Sequence, residues 1–234
     1  AGSTRSWSPG WPAPRSSPSV AGTTGGGSDP GWLVGAGGVL YFSAYEPTTG
    51  YELWRTDGSQ GGTWLVKDIW PGSGGSSEPR ELTDIDGRLF FVAEHPDTGT
   101  ELWVTDGTSD GTDLVIDLIP GAGGSTSRDL TALSDRLVFV GASSRLWITD
   151  GTEPGTTMLF DGSALGWSAT IVEGFPTAVG SDLFFAIDGL THHQIWVSDG
   201  TPSGTIVVRD DLETLEHSVP AEFNGELFFS ASDG

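Results

Sequence analysis

The sequence predicts an all-β fold, a β-propeller of four-stranded antiparallel blades. Three observations carry that prediction. A segment recurs four times: ELWRTDGSQGGT at 52–63, ELWVTDGTSDGT at 101–112, RLWITDGTEPGT at 145–156 and QIWVSDGTPSGT at 194–205. Its tryptophans, Trp54, Trp103, Trp147 and Trp196, stand 49, 44 and 49 residues apart, the spacing of an array of equivalent units that cannot bury their apolar faces alone. Each period divides into short runs of branched and aromatic residues separated by turn residues, and no segment sustains a helical apolar period. Four antiparallel strands in about 48 residues match one propeller blade. A β-solenoid uses shorter coils, and a sandwich would not repeat so closely.

Residues 1–30 are rich in Pro, Ser, Gly and Thr and read as a linker or stalk. Within them, GSTRSWSPG at 2–10 echoes the end of a repeat, as in TDLVIDLIPG at 112–121, and offers a degenerate outer strand. The repeat domain spans 31–234. Its first unit, 31–72, holds a short apolar run at 32–35, a strand at 39–44 (VLYFSA), the tryptophan strand at 51–56 and a last strand at 63–69. The second, 79–121, places strands at 81–85, 88–93, 101–105 and 113–119, with Asp86-Gly87 as a two-residue hairpin that needs positive φ. The third, 127–161, repeats this at 129–133, 136–140, 145–149 and 156–160; its shorter connection, 141–144, explains the 44-residue spacing. The fourth, 174–211, uses 175–179, 182–186, 194–198 and 205–209. A partial fifth, 218–234, has strands at 219–223 and 226–230 around Asn224-Gly225. Four full repeats plus a half blade suggest a five-bladed propeller or part of a larger one. A half blade also exposes strand edges that invite a partner chain or self-association.

The net charge is −22, from 32 acidic and 10 basic residues. Nucleic-acid affinity depends on neutralising phosphates, so this balance excludes such a partner, and it disfavours anionic membrane surfaces. No apolar run approaches the length of a membrane span. With no cysteine, disulfides, thiolate zinc sites and cysteine nucleophiles are excluded. Calcium is the one cofactor the acidic composition leaves open, although the turns lack the dense carboxylate ladder of an EF-hand loop. No GxSxG elbow, HExxH helix or phosphate-binding loop occurs.

The repeated residues explain themselves as structure. Asp57, Asp106, Asp150 and Asp199 each begin a turn, where an Asp accepts backbone N–H bonds and the next Gly supplies positive φ. The four tryptophans fit packing between adjacent blades, with sugar stacking as the alternative. Trp64, Trp70 and Trp167 do not repeat and suit a surface role better. Loops between strands two and three should share a face with the blade links. That face yields the ligand-binding candidates: Arg80 and Arg128 in two equivalent links, Glu94, His95 and Asp97 in one inner loop, and Asp188, His192 and His193 in another. His217 lies in a further link. Adjacent strand histidines point to opposite sides, and no residue is assigned a catalytic or metal-ligating role.

The ELW segment followed two residues later by DGT resembles the bacterial ELWxxDGT-repeat family. The resemblance covers 31–234, and the companion LFF segment recurs at 89–91 and 183–185. It departs at Arg145 and Gln194, where the family pattern has Glu. The resemblance implies a secreted or cell-surface bacterial protein of tandem β repeats, without a common activity to transfer. Residues 56–64 are similar, more loosely, to the Asp-box turn of sialidase-type propellers, which joins strands three and four of a blade. The expected function is a non-catalytic extracellular module binding a glycan or protein. The alternatives are a structural subunit of a surface assembly completed by a partner chain, and a carbohydrate-active propeller enzyme.

Overall fold

The computed structural model describes residues 28–59, 61–72, 74–165, 169–189, 192–215 and 219–232. Three four-stranded antiparallel sheets follow one another along the chain. The first comprises β1 (Gly31–Ala36), β2 (Val39–Glu46), β3 (Gly50–Thr56) and β4 (Thr63–Lys67). The second comprises β5 (Arg80–Ile85), β6 (Arg88–His95), β7 (Gly99–Thr105) and β8 (Thr112–Ile116). The third comprises β9 (Arg128–Leu133), β10 (Arg136–Gly141), β11 (Arg145–Thr149) and β12 (Thr157–Phe160). After a 3₁₀ turn at Gly162–Leu165, the fourth sheet divides its first strand into β13 (Thr170–Ile171) and β14 (Thr177–Val179). Both pair with β15 (Asp182–Asp188), and β16 (His193–Ser198) and β17 (Ile206–Leu212) complete the sheet. Next come β18 (Thr214–Leu215), β19 (Ala221–Phe223), β20 (Glu226–Phe228) and β21 (Ala231–Ser232), paired β18 with β21 and β19 with β20.

The sheets are arranged like blades. The first strand of each forms its inner edge: β1 lies beside β5, β5 beside β9, β9 beside β14 and β14 beside β19. Both faces of an intervening sheet are therefore covered. This is why the second strands read as continuous apolar runs, whereas a strand with one wet face would alternate. Leu89, Phe90, Phe91, Val92 and Ala93 are all fully buried. Phe91 packs back with Leu53, Val66 and Ile69 of the first sheet, and Phe90 packs forward with Leu137 and Phe139 of the third. Three of the four repeated tryptophans behave likewise, and Trp54 departs from the expected packing between blades. Trp103 joins the cluster between the first two sheets, Trp147 the next, and Trp196 meets Phe160 of the third sheet with ring centroids 4.8 Å apart. Trp54 packs against Phe42, Ala44 and Leu65 of its own sheet.

Each DG turn is a closed hydrogen-bond network. In the second sheet Asp106 Oδ1 accepts from Thr108 N at 2.8 Å and Thr108 Oγ1 at 2.7 Å. Those bonds, the hydroxyl's first, hold its carboxyl below the usual range. Gly111 N donates to Thr108 Oγ1, while the Thr105 and Thr112 hydroxyls meet at 2.7 Å. The second glycine is required because a Cβ on Gly111 would lie 2.3 Å from Asp106 Oδ1. The same bonds recur at Asp150 and Asp199, and Asp57 accepts from Ser59 N.

Several strand boundaries differ from those expected, with β13 unforeseen, 205–209 extended to Leu212 and 226–230 cut short at Phe228; two of the shifts share one reason. The fourth strands stop at Lys67 and Ile116, short of 69 and 119, because the chain leaves the ladder to bond the ELW glutamate. Glu52 accepts N–H bonds from Ile69 at 3.2 Å, Trp70 at 3.3 Å and Ser77 at 3.2 Å, plus the Ser77 hydroxyl at 2.5 Å. Glu101 accepts Ser125 N at 2.8 Å and its hydroxyl at 2.5 Å. Both glutamates are fully buried, and desolvation pushes each carboxyl up to about 7 against the pull of these donors. The connection between strands two and three also tightens, because β6 and β7 extend to His95 and Gly99. Gly99, at φ +69°, lets that loop touch the blade link: a Cβ there would stand 2.4 Å from Gly124 N. Where Glu is replaced, the bonding changes. Arg145 Nε pairs with Asp161 Oδ2 at 3.1 Å, and Gln194 Oε1 accepts Trp196 Nε1 at 3.1 Å.

The degenerate strand expected at 2–10 falls outside the described residues. Residues 28–30 join the repeat domain: Ser28 is buried and its carbonyl accepts Tyr45 N at 2.8 Å.

Candidate functional site

The inner edge carries a strained position that recurs from blade to blade. The ladder between first and second strands skips at the same place in three sheets. The residue responsible is Trp32, Glu81 or Asp129, with φ of +53°, +55° and +56°. A non-glycine residue in this region costs of order 1–3 kcal/mol. In two sheets the cost is offset by a bond to the next sheet, on its inner strand or beside it. Glu81 Oε2 accepts Leu130 N at 3.2 Å, and Asp129 Oδ1 accepts Gly174 N at 2.8 Å. Burial raises the Glu81 carboxyl above its usual range, partly opposed by the Leu130 N–H. Trp32 holds the equivalent position in the first sheet, and it is 55% exposed.

Two cavities adjoin this edge and share Trp32. One, of about 340 Å³, lies between four successive first strands and is lined by Glu81, Thr83, Asp129, Thr131 and Pro176. The other, of about 470 Å³, is lined by Asp29, Ser43, Tyr51, Glu78 and Arg80. Tyr51 Oη donates to Asp29 Oδ2 at 3.3 Å, and Ser76 Oγ donates to Glu78 Oε1 at 3.0 Å.

The expected ligand residues divide among three places. Arg80 and Arg128 are equivalent, as expected: Arg80 pairs with Val92 and Arg128 with Val140 at the same rung. Arg80 Nη1 reaches Glu78 O at a long 3.5 Å. Arg128 is ion-paired to Asp129 and bonds Ile171 O, so its charge is committed within the edge. Glu94, His95 and Asp97 lie at the end of β6 and in the loop after it. Glu94 N donates to Ser77 O at 2.7 Å, and His95 Nδ1 accepts Asp97 N at 3.2 Å. Among the described residues no bond joins this trio to Arg80 or Arg128. His193 Nδ1 approaches Asp188 Oδ1 to 3.4 Å, with His192 just ahead of the strand. Among the described residues no group of three or more His, Asp or Glu is placed to hold a metal. Trp64 lies on the outer strand with the Arg55 guanidinium 5.2 Å from its ring. Trp167 and His217 lie outside the described residues.

Trp32, Asp29 and Tyr51 line the cavities although none is among the ligand residues expected from the sequence. A signal for Trp32 was present, since aligning the hairpins places it where the next two units carry Glu81 and Asp129. Asp29 and Tyr51 leave no such mark.

The molecule is a propeller-like all-β module with its irregular side chains collected at the inner edge. Solved structures show the same fold. A puromycin hydrolase, solved as a mutant in complex with PGG, superposes on 82% of this chain with a TM-score of 0.50 at 14% identity. A protein assigned as TolB from Agrobacterium tumefaciens superposes on 87% with a TM-score of 0.50 at 15% identity. The chain covers 31% of the hydrolase and 69% of the TolB protein. Such identities speak for fold alone. No protein-family model matches the chain, and no curated protein does.

Proposed function

We propose that this chain is a non-catalytic binding module of the ELWxxDGT-repeat type, acting outside a bacterial cell on a glycan or protein partner. The supporting observation is a division of labour. Repeated residues are consumed by turns, carboxylate clamps and packing between sheets, whereas side chains that differ from unit to unit, the exposed Asp29, Trp32 and Glu78 among them, line two adjoining cavities at the inner edge. Binding side chains held by a rigid scaffold are the common arrangement for recognition. This reading assumes a ring of five blades or a section of a larger ring.

The test is retention of purified glycans and surface proteins on the immobilised chain, compared with an Arg80→Ala/Glu81→Gln variant. The expected result is reversible retention of one ligand, chemically unchanged on recovery, and weakened in the variant. Conversion of a retained glycan would replace this reading with that of a carbohydrate-active enzyme.

A further inference from the structure

We propose that Trp32 is the stacking platform of a site for a neutral saccharide, formed with Asp29, Tyr51, Glu78 and Arg80. This rests on the binding reading above and gives it a place and a ligand class.

The backbone at Trp32 is the first argument. A large aromatic residue at φ +53° is a conformational outlier. The acids at the equivalent positions brace the next sheet through their carboxylates, but an indole has no acceptor and cannot do so. Bracing therefore does not account for Trp32, and strain that local structure leaves unexplained points toward recognition. Exposure is the second argument. Trp32, on the wall of both cavities, is 55% exposed, whereas Glu81 and Asp129 at the equivalent positions are engaged in bonds to the next sheet.

The chemistry around the indole selects the ligand. The 470 Å³ cavity falls within the range of about 300–1,000 Å³ usual for small-molecule sites. Asp29 and Glu78 supply acceptors, and Tyr51 supplies a hydroxyl. Arg80 supplies donors, with one of its five N–H groups engaged in the long bond to Glu78 O. An anionic ligand would meet the two carboxylates, and a cationic one would meet the guanidinium. A polyhydroxylated neutral ring can donate to the first and accept from the second. Its C–H face suits the flat apolar surface of the half-exposed indole. The adjoining cavity shares Trp32 and offers space for a second sugar unit beside Asp129 and Thr131.

The full chain would be titrated with neutral hexose and N-acetylhexosamine oligosaccharides at up to millimolar concentration, followed by calorimetry and tryptophan fluorescence. One oligosaccharide is expected to bind. Trp32→Gly is expected to weaken it at least about tenfold, the loss typical of an aromatic anchor. Trp32→Phe should weaken it less. Because glycine accepts positive φ without strain, Trp32→Gly should melt at or above the wild-type temperature, which separates lost binding from lost folding. Equal saccharide affinity in wild type and Trp32→Gly would refute the platform and leave the binding module intact. Failure of folded wild type to bind any neutral saccharide, or binding of anionic saccharides alone, would refute the ligand class. Neither outcome touches the protein-partner arm of the retention experiment.

Discussion

Replacing Glu101 by Gln should change how stability depends on pH. Glu101 is fully buried beside the Asp117 carboxylate, and its pKa is pushed from 4.5 up to about 7 by desolvation. A carboxyl whose folded pKa is raised contributes stability that is fully present below the unfolded value and lost as pH rises through the folded one. From about pH 5 to about pH 8 the loss at this single site is about 2.5 kcal/mol, from the linkage relation applied to those two values. Gln does not titrate, so Glu101→Gln removes this dependence while keeping the side-chain volume. The variant loses an acceptor for the Ser125 N–H or hydroxyl and should be the less stable form near pH 5. The gap between variant and wild type should then narrow by about 2.5 kcal/mol on going to about pH 8. Urea unfolding at four pH values, followed by the emission of the ten tryptophans, measures this through the midpoint and slope. The whole chain is acidic and loses stability to self-repulsion over the same range, but that term is common to both proteins and cancels. A gap that stays constant, or that widens with pH, would falsify the reasoning: it would mean that the Ser125 donors outweigh desolvation and that Glu101 is ionised in the fold. Glu52, with the same raised value, should give the same result.

Three further outcomes follow from the packing. Gly111→Ala should cost about 1–3 kcal/mol by driving the Asp106 carboxylate from its turn donors, and Gly111→Ala/Asp106→Ala should cost little more than either alone in a double-mutant cycle. Arg145→Glu restores the motif of the first two units but sets a carboxylate against Asp161 in place of the 3.1 Å ion pair. It should lower stability by roughly 1 kcal/mol, with recovery on adding Asp161→Lys. Phe91→Ala should cost about 3–5 kcal/mol by opening a void between the first and second sheets, read by thermal unfolding, whereas equal melting temperatures would mean the sheets do not share a core.

Much of the fold was legible because its signals are local. Turn chemistry at Asp106 to Thr112 depends on residues within one segment, and a hairpin such as Asp86-Gly87 fixes the register of the strands on either side. The burial of Glu101 could also have been read. It stands two residues before Trp103 on the same face of one strand, so a core-facing tryptophan implies a core-facing carboxylate. What the clamp bonds was not legible, since Ser125 lies 24 residues away in a link of no distinctive pattern.

The repeat by itself determined the first three sheets, their order of strands and the packing of three of the four tryptophans between sheets, because each unit carries a complete set of instructions for its own hairpins. The inner edge was decided only by tertiary structure. Its cavities draw on residues of four units, from Trp32 to Pro176, and their meeting depends on successive sheets placing their first strands side by side. No local pattern encodes that placement, and residues that vary from unit to unit leave no periodic trace. The same physics that makes Arg80 and Arg128 equivalent in register leaves one reaching a carbonyl and ties the other to Asp129, because each answers to a different neighbour.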